Sequence, residues 1–403
     1  MSEAGRRRFP AATPSRAGAA LVFVLAGVVA AFGTAWFQRI CATRVSLDDI
    51  GAFNALLALA GGIGVLGLGL QVVLGRLPAG ATMPLPISLG AGAGVAVLVG
   101  AGMPVSGWYA VAVGGLMGAS TTATFCAVAA RARLLQRASW LRLAVVYLVG
   151  VAVRLAVIAP LLSVIGKRLT AALAATFLAE AAVALAAFLL APRRAGDVRR
   201  YDARTLRSLL GAVAVLGGLW ALTVLDSVLG RLRLPAADAD AYSLGTTVAR
   251  ASFFIALLLT QLALPTFLRE NGRSARMREV FATAAVTIAG VAAVIAAVVI
   301  AAPTWVAHTV LGEDAAHVDV STLRLLAAAW AAMSIVPLLT YFHIDRHRRL
   351  ALVPVLAAIV EVVAGLSVRT SDALAVVTLG VFTGCLIVMG LPAVQRLAPI
   401  TRA

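Results

Sequence analysis

Residues 280–301 read VFATAAVTIAGVAAVIAAVVIA, an uninterrupted apolar run without a charge or a proline. A helix rises about 1.5 Å per residue, so a run of this length covers roughly the 30 Å hydrocarbon core of a bilayer. Outward from it, the same pattern recurs along the chain. Twelve helices are expected, at 17–38, 50–74, 84–103, 107–130, 141–166, 170–191, 208–230, 240–267, 280–301, 321–342, 350–368 and 373–395. The chain has 403 residues, of which 62% are hydrophobic and 13% charged, with a mean hydropathy of +0.99. A soluble globular domain carries about a quarter charged residues, so a soluble fold, a disordered chain and a disulfide-stapled secreted scaffold are excluded. Twelve spans use roughly 240 residues and leave connections near a dozen residues each, too short for a separate aqueous catalytic domain.

The 34 Lys+Arg against 17 Asp+Glu give a formal net charge of +17. With twelve spans and the N-terminus inside, 24 of these cations fall in inside loops, 8 in outside loops and 2, Arg154 and Arg250, within spans. Short cytoplasmic loops retain Lys and Arg, so the bias orients the chain with both ends cytoplasmic. A missed span would invert every later loop and spoil the alternation. Topology therefore accounts for the charge, helped by anionic headgroups, and no nucleic-acid partner is implied. Arg6, Arg7 and Arg8 precede the first apolar run as in a signal peptide, but its length and the eleven further runs give an uncleaved helix. Cys41, Cys126 and Cys385 are odd in number and widely spaced, which offers neither a disulfide framework nor a zinc site.

The chain repeats itself at half its length. VSLDDIGAF (45–53) precedes the second helix and LPAADADAY (234–242) the eighth. Each is a short acidic loop ending in an aromatic residue. Gln71 follows Phe53 by 18 residues, and Gln261 follows Tyr242 by 19. The expected fold class is thus an all-α polytopic membrane protein of about 12 transmembrane helices in two six-helix bundles, a 6+6 parallel repeat. The expected organisation is a cytoplasmic segment 1–16, an N-terminal bundle 17–191, a basic cytoplasmic linker 192–207, a C-terminal bundle 208–395 and a cytoplasmic tail 396–403.

The run Asp48-Asp49-Ile50-Gly51-Ala52-Phe53-Asn54-Ala55-Leu56-Leu57, followed by Gly67-Leu68-Gly69-Leu70-Gln71, resembles the start of bacterial oligosaccharide flippases. These form the polysaccharide-biosynthesis branch of the multidrug/oligosaccharidyl-lipid/polysaccharide exporter superfamily. In the second half Asp226, then Ala239-Asp240-Ala241-Tyr242, Arg250, Phe253-Phe254 and Leu264-Pro265, is similar to that family's seventh and eighth helices. The short Gly75–Met83 linker departs from the longer amphipathic loop common in the family. The resemblance implies a flippase moving a polyprenyl-diphosphate-linked oligosaccharide, or a related cell-envelope glycolipid, across the bacterial cytoplasmic membrane by alternating access. Its implied partners are the lipid-linked glycan, membrane lipids and other glycan assembly proteins.

Such a substrate carries two phosphates and a sugar, which need a polar cleft between bundles, and Arg suits phosphate because its planar donors bind bidentately. Arg250 is the first candidate for anion contact, on the cavity-lining helices that the resemblance implies, with Asp226 able either to pair with it or to face the cleft. Arg154 and Glu180, at similar depth on adjacent helices, form either a structural ion pair or part of the cleft. Gln38, Asn54, Gln71 and Gln261 offer hydrogen bonds to sugar, or to a neighbouring helix. Arg39 and Arg44 suit either a gate or the interface, and Glu361 suits ion coupling or the interface. Gly61, Gly62, Gly64, Gly67 and Gly69 permit close helix approach or a hinge, while Pro160 and Pro337 kink helices. His343-Ile344-Asp345-Arg346-His347 reads as a solvated basic loop rather than a metal site. HExxH, Walker and G-x-S-x-G motifs are absent from the sequence, so no catalytic residue, metal or cofactor is expected and the chain reads as a non-enzyme. Three other readings stay open: an ion-coupled drug or small-molecule exporter on the same architecture, a membrane-embedded glycosyl- or acyltransferase, and a non-transporting assembly scaffold.

Overall fold

The computed structural model describes residues 14–42, 44, 85–102, 108–191, 203–269, 275–344 and 348–397, together with ten positions within 56–74. Among these residues the regular structure is entirely helical. The elements are α1 (Pro14–Ala42), α2 (Leu85–Gly102), α3 (Trp108–Gln136), α4 (Trp140–Val164), α5 (Arg168–Leu190), α6 (Ala203–Leu222), α7 (Leu225–Arg233) and α8 (Ala236–Ala249). They continue as α9 (Ala251–Arg269), α10 (Ala275–Ala301), α11 (Pro303–Leu311), α12 (Val320–Met333), α13 (Val336–His343), α14 (Arg348–Ala351), α15 (Val353–Gly365) and α16 (Ser371–Leu397). The ten described positions of 56–74 are also helical, and Leu56, Ile63, Leu70, Gln71 and Leu74 among them are buried.

Among the described residues eight stretches are long and apolar enough to cross a membrane, two of them formed by consecutive elements, α8 with α9 and α12 with α13, and counting α6 with α7, bent by 49°, as one span brings the number to nine. Lipid cannot satisfy backbone polar groups, so spans must be closed in this way. Exposed apolar side chains such as Phe32, Leu98, Val286 and Val363 are those a bilayer would cover. The molecule is a multi-pass membrane protein.

Helices α1 to α5 pack on one another, as do α6 to α10 with α12 to α16. Contact between the two groups runs through α1 against α9 and α11, and through α3 against α9. One continuous apolar core spans both groups. Its members from the first group, among them Phe23, Ala127, Ala130, Leu134, Trp140, Leu143 and Ala187, all lie toward the Arg-rich ends of their helices. Toward the other face each group keeps a core of its own. There the contact is narrower: Arg39, whose guanidinium lies 5.5 Å from the Trp36 ring, approaches Gly312.

Several boundaries differ from the sequence reading. Helix α3 runs to Gln136 and so carries Arg131 and Arg133 inside the fold, where a span ending at 130 leaves them in a loop. The seventh span breaks at Thr223–Val224, the eighth at Arg250 and the tenth at Ser334–Ile335, just before Pro337. The connection after 301 is not a plain loop but α11 and a 3-10 turn, Gly312–His317. The termini, the linker 192–202 and the acidic loop 45–53 lie outside the described residues.

Candidate functional site

Three polar groupings sit within the apolar frame. The first follows from the break in the seventh span. Asp226 begins α7, where free backbone N–H groups favour a carboxylate. Its Oδ1 accepts from the Ser227 amide at 2.7 Å and from Arg250 Nη2 at 2.7 Å, and Arg250 Nη2 also donates to Ser227 Oγ at 2.9 Å. The Arg250 guanidinium lies 4.7 Å from the Trp330 ring on α12. The side chains of Asp226 and Arg250 are 0% and 9% exposed. Of the two roles open to this pair, the geometry selects the ion pair: Arg250 is held inside the second bundle, not displayed toward the first. Nearby, Glu361 on α15 is fully buried; its Oε1 accepts from Thr378 Oγ1 at 3.3 Å, and Thr378 also meets the Tyr242 hydroxyl at 3.5 Å. Asp226 and Glu361 act on one another electrostatically. Glu361 therefore does not reach the interface. The cluster holds two carboxylates and one guanidinium, and Asp226 Oδ2 and Glu361 Oε2 have no hydrogen-bond partner among the described residues.

The second grouping lies in the first bundle. Arg154 Nη2 and Glu180 Oε1 are 3.4 Å apart, Thr124 Oγ1 donates to Glu180 Oε2 at 3.1 Å, and the Arg154 guanidinium lies 5.4 Å from the Phe37 ring. The pair is part-buried, with 15% and 24% of the side chains exposed.

The third grouping crosses between bundles. Tyr147 on α4 donates its hydroxyl hydrogen to Gln261 Oε1 on α9 at 2.9 Å. The Arg131 guanidinium stands 5.9 Å from the Tyr147 ring, and Phe23 packs edge-on to that ring at 5.7 Å. Tyr147 and Arg131 were not legible as site residues. The signal was there in the spacing: Ala127, Ala130 and Leu134 continue the buried face of α3 through 131.

Of the other residues read from sequence, Gln71 is buried with its Nε2 unpaired. Asn54 lies outside the described residues, as does the side chain of Gln38, which stands on α1. The backbone carbonyl of Arg44 accepts from Arg168 Nη1, tying the end of α1 to α5. His343 is buried and bonds the Met389 carbonyl at 3.0 Å, so it belongs to the core and not to a solvated loop, while Asp345, Arg346 and His347 lie outside the described residues. Among the described residues no cluster of His, Cys, Asp and Glu has the makings of a metal site, and the three cysteines are free.

No family model and no curated protein matches the chain in sequence. Solved structures do match over nearly its whole length. One is an outward-facing multidrug resistance MATE family transporter of the MOP superfamily, at 13% identity and TM-score 0.71, covering 96% of this chain and 97% of that one. Another is a MOP superfamily transporter from Pyrococcus furiosus whose binding pocket is described as of reverse polarity, suggesting a different function; it has 13% identity, TM-score 0.69 and the same coverages. A third is a mutant of the Vibrio cholerae MATE transporter VcmN, at 14% identity and TM-score 0.66, covering 94% of this chain and 97% of that one. The chain therefore shares the fold of these transporters over nearly its whole length.

Proposed function

We propose that this protein is a secondary exporter of the cytoplasmic membrane, working by alternating access between its two bundles, and that its substrate is a polyprenyl-diphosphate-linked oligosaccharide or related envelope glycolipid. The Arg-rich face is cytoplasmic and both termini lie on that side. The observation that carries the substrate class is the distribution of charge. Glu180 and Asp226 are each paired with an arginine, and Glu361 is sealed inside the second bundle. The arginines of those two pairs are spent as well, but Arg131, beside Tyr147 at the seam, has no salt-bridge partner among the described residues, so the seam offers a cation to an anionic head group and no free carboxylate to a cationic drug. The likeness to multidrug transporters supports the second reading, an ion-coupled drug exporter, on fold alone.

Glu361 is the coupling residue in this proposal. A charge buried in a bilayer is costly unless neutralised, and Arg250 can neutralise only one of the two carboxylates beside it. The second takes a proton or a small cation, and its loss or gain would bias the packing of α7, α15 and α16.

The test is reconstitution in liposomes with a fluorescent polyprenyl diphosphate glycan in the inner leaflet, using an imposed pH or sodium gradient. Gradient-dependent appearance of the label outside supports the reading, and Glu361→Gln is expected to abolish the gradient dependence. Extrusion of cationic dyes with no movement of the glycolipid would replace the first reading by the second. A reporter fused within 193–207 is expected on the cytoplasmic side.

A further inference from the structure

Arg131 is a buried cation with no salt-bridge partner among the described residues. It is 7% exposed, and its Nε has no hydrogen-bond partner among the described residues. Its one described neighbour of opposite electrostatic character is the Tyr147 ring face, whose attraction for a guanidinium is about 0.5–2 kcal/mol. That is small beside the several kcal/mol needed to desolvate a charge. Other groups at this seam are short of acceptors too. Gln261 spends its Oε1 on Tyr147 and leaves Nε2 buried and unpaired, and Gln71 leaves its Nε2 the same way. Gly67, one helical turn before Gln71, faces Thr124 and Val128 of α3, which puts Gln71 toward the Arg131 end of that helix. Tyr341 on α13 adds a buried hydroxyl without a partner and lies within electrostatic reach of Tyr147. Glu180, which acts electrostatically on Tyr147, is already engaged by Arg154 and Thr124.

An excess of buried donors around a guanidinium calls for an acceptor-rich anion. Phe23, Leu134, Trp140 and Val146, at this end of the first bundle, belong to the apolar core. We propose that Arg131, with Gln71 and Gln261, is a phosphoryl-binding site at the Arg-rich end of the seam, occupied when the bundles part there and a phosphate or diphosphate group enters. It deepens the export reading above and rests on it. Recognition of the phosphoryl group is assigned to a residue that the charge count over loops treats as a topology determinant only.

The experiment is calorimetric titration of the full chain in nanodiscs of zwitterionic lipid. The probes are farnesyl diphosphate, farnesol and inorganic diphosphate. Wild type is expected to bind farnesyl diphosphate and not farnesol; equal binding of inorganic diphosphate assigns the site to the free anion, weaker binding to a lipid-borne one. Arg131→Gln is expected to weaken binding about tenfold or more, the loss of one charge-assisted contact, and Arg131→Lys to retain most of it. Gln261→Glu keeps the acceptor for Tyr147 but supplies an internal carboxylate, so it is expected to lose the ligand while keeping or raising the melting temperature. A purely structural Arg131 would leave binding in that variant unchanged. Arg324→Gln, on the far side of the fold, serves as the control. Equal affinity in wild type, Arg131→Gln and Gln261→Glu overturns the site, as does the absence of any phosphoryl binding. Glycolipid transport that survives in those variants sinks this site alone; absence of transport in wild type sinks the export reading itself.

Discussion

At the scale of single residues, burial decides what each charge does. Arg250 was the first sequence candidate for substrate contact, but a guanidinium bonded to a fully buried carboxylate is first a structural element. Arg250→Ala would leave Asp226 charged and alone, at a cost of about 3–5 kcal/mol. The expected outcome is a large fall in melting temperature in detergent, with the Asp226→Asn/Arg250→Gln double variant recovering much of it. A double variant no more stable than Arg250→Ala would show that the pair contributes nothing jointly. Outside the spans, Asp319 caps α12: its Oδ2 accepts from the Thr322 amide at 2.7 Å and from Ser321 Oγ at 2.6 Å. The Ser321 hydroxyl, with the Thr322 amide, holds the Asp319 carboxyl below the usual aspartate range. A depressed carboxylate pKa stabilises the fold above the unfolded value and loses that contribution as pH falls through the folded one. Asp319→Ala is expected to cost about 1 kcal/mol near neutral pH. The difference from wild type should shrink in acid below pH 4, which paired thermal melts would show; a constant difference would contradict the cap.

At the scale of elements, the helices were legible, and of their interruptions only the one before Pro337 was, while Pro160 lies inside an unbroken α4. Hydropathy over some twenty residues reports a crossing, because the bilayer imposes that length whatever the partners are. The breaks at Thr223–Val224 and Arg250 are set by what the freed backbone and side chains meet, chiefly the Asp226–Arg250 pair, and that is a tertiary fact. Close packing was read into the glycines of the second span, of which Gly67 meets Thr124 and Gly64 meets nothing. The tighter approach is elsewhere. Gly92, Ala96 and Gly100 on α2 face Gly114 and Gly118 on α3 at four-residue spacing, and a Cβ on Gly118 would stand 2.5 Å from the Gly92 carbonyl oxygen. Small residues at this spacing let membrane helices touch backbone to backbone. Gly118→Val is therefore expected to separate α2 from α3 and lower the melting temperature by several degrees, while Gly115→Val, which faces open space, should change little. Equal effects would remove the glycine contact as the cause. The turn joining α3 to α4 places Ala138 at φ 49°, the left-handed region. Ala138→Gly relieves about 1 kcal/mol of that strain and should raise the melting temperature slightly.

At the scale of the molecule, half of the site was readable. Charge pairs such as Arg154–Glu180 follow from depth along adjacent helices, which sequence position reports. The seam between bundles does not follow, because Tyr147 and Gln261 are 114 residues apart and meet only once α1 and α3 have packed against α9. That hydrogen bond, set in the apolar core that spans both groups, is a polar join between the bundles at their Arg-rich ends, and Phe23 backs the Tyr147 ring from within the first bundle. In the export cycle proposed above this join breaks on each turn, so its strength sets how often the face opens. Tyr147→Phe removes the hydroxyl and keeps the ring. A hydrogen bond contributes about 1 kcal/mol net, which moves a two-state equilibrium about fivefold. Ala130, fully buried in the joint core, reports the state when changed to Cys in a background lacking Cys41, Cys126 and Cys385. In Tyr147→Phe its labelling by a thiol reagent added at the Arg-rich face should run about fivefold faster, and the phosphoryl ligand proposed for Arg131 should speed it further by favouring the parted state. A labelling rate unchanged by the loss of the hydroxyl would mean that the apolar core alone holds the bundles together, and that Tyr147–Gln261 is not the fastening on which opening depends.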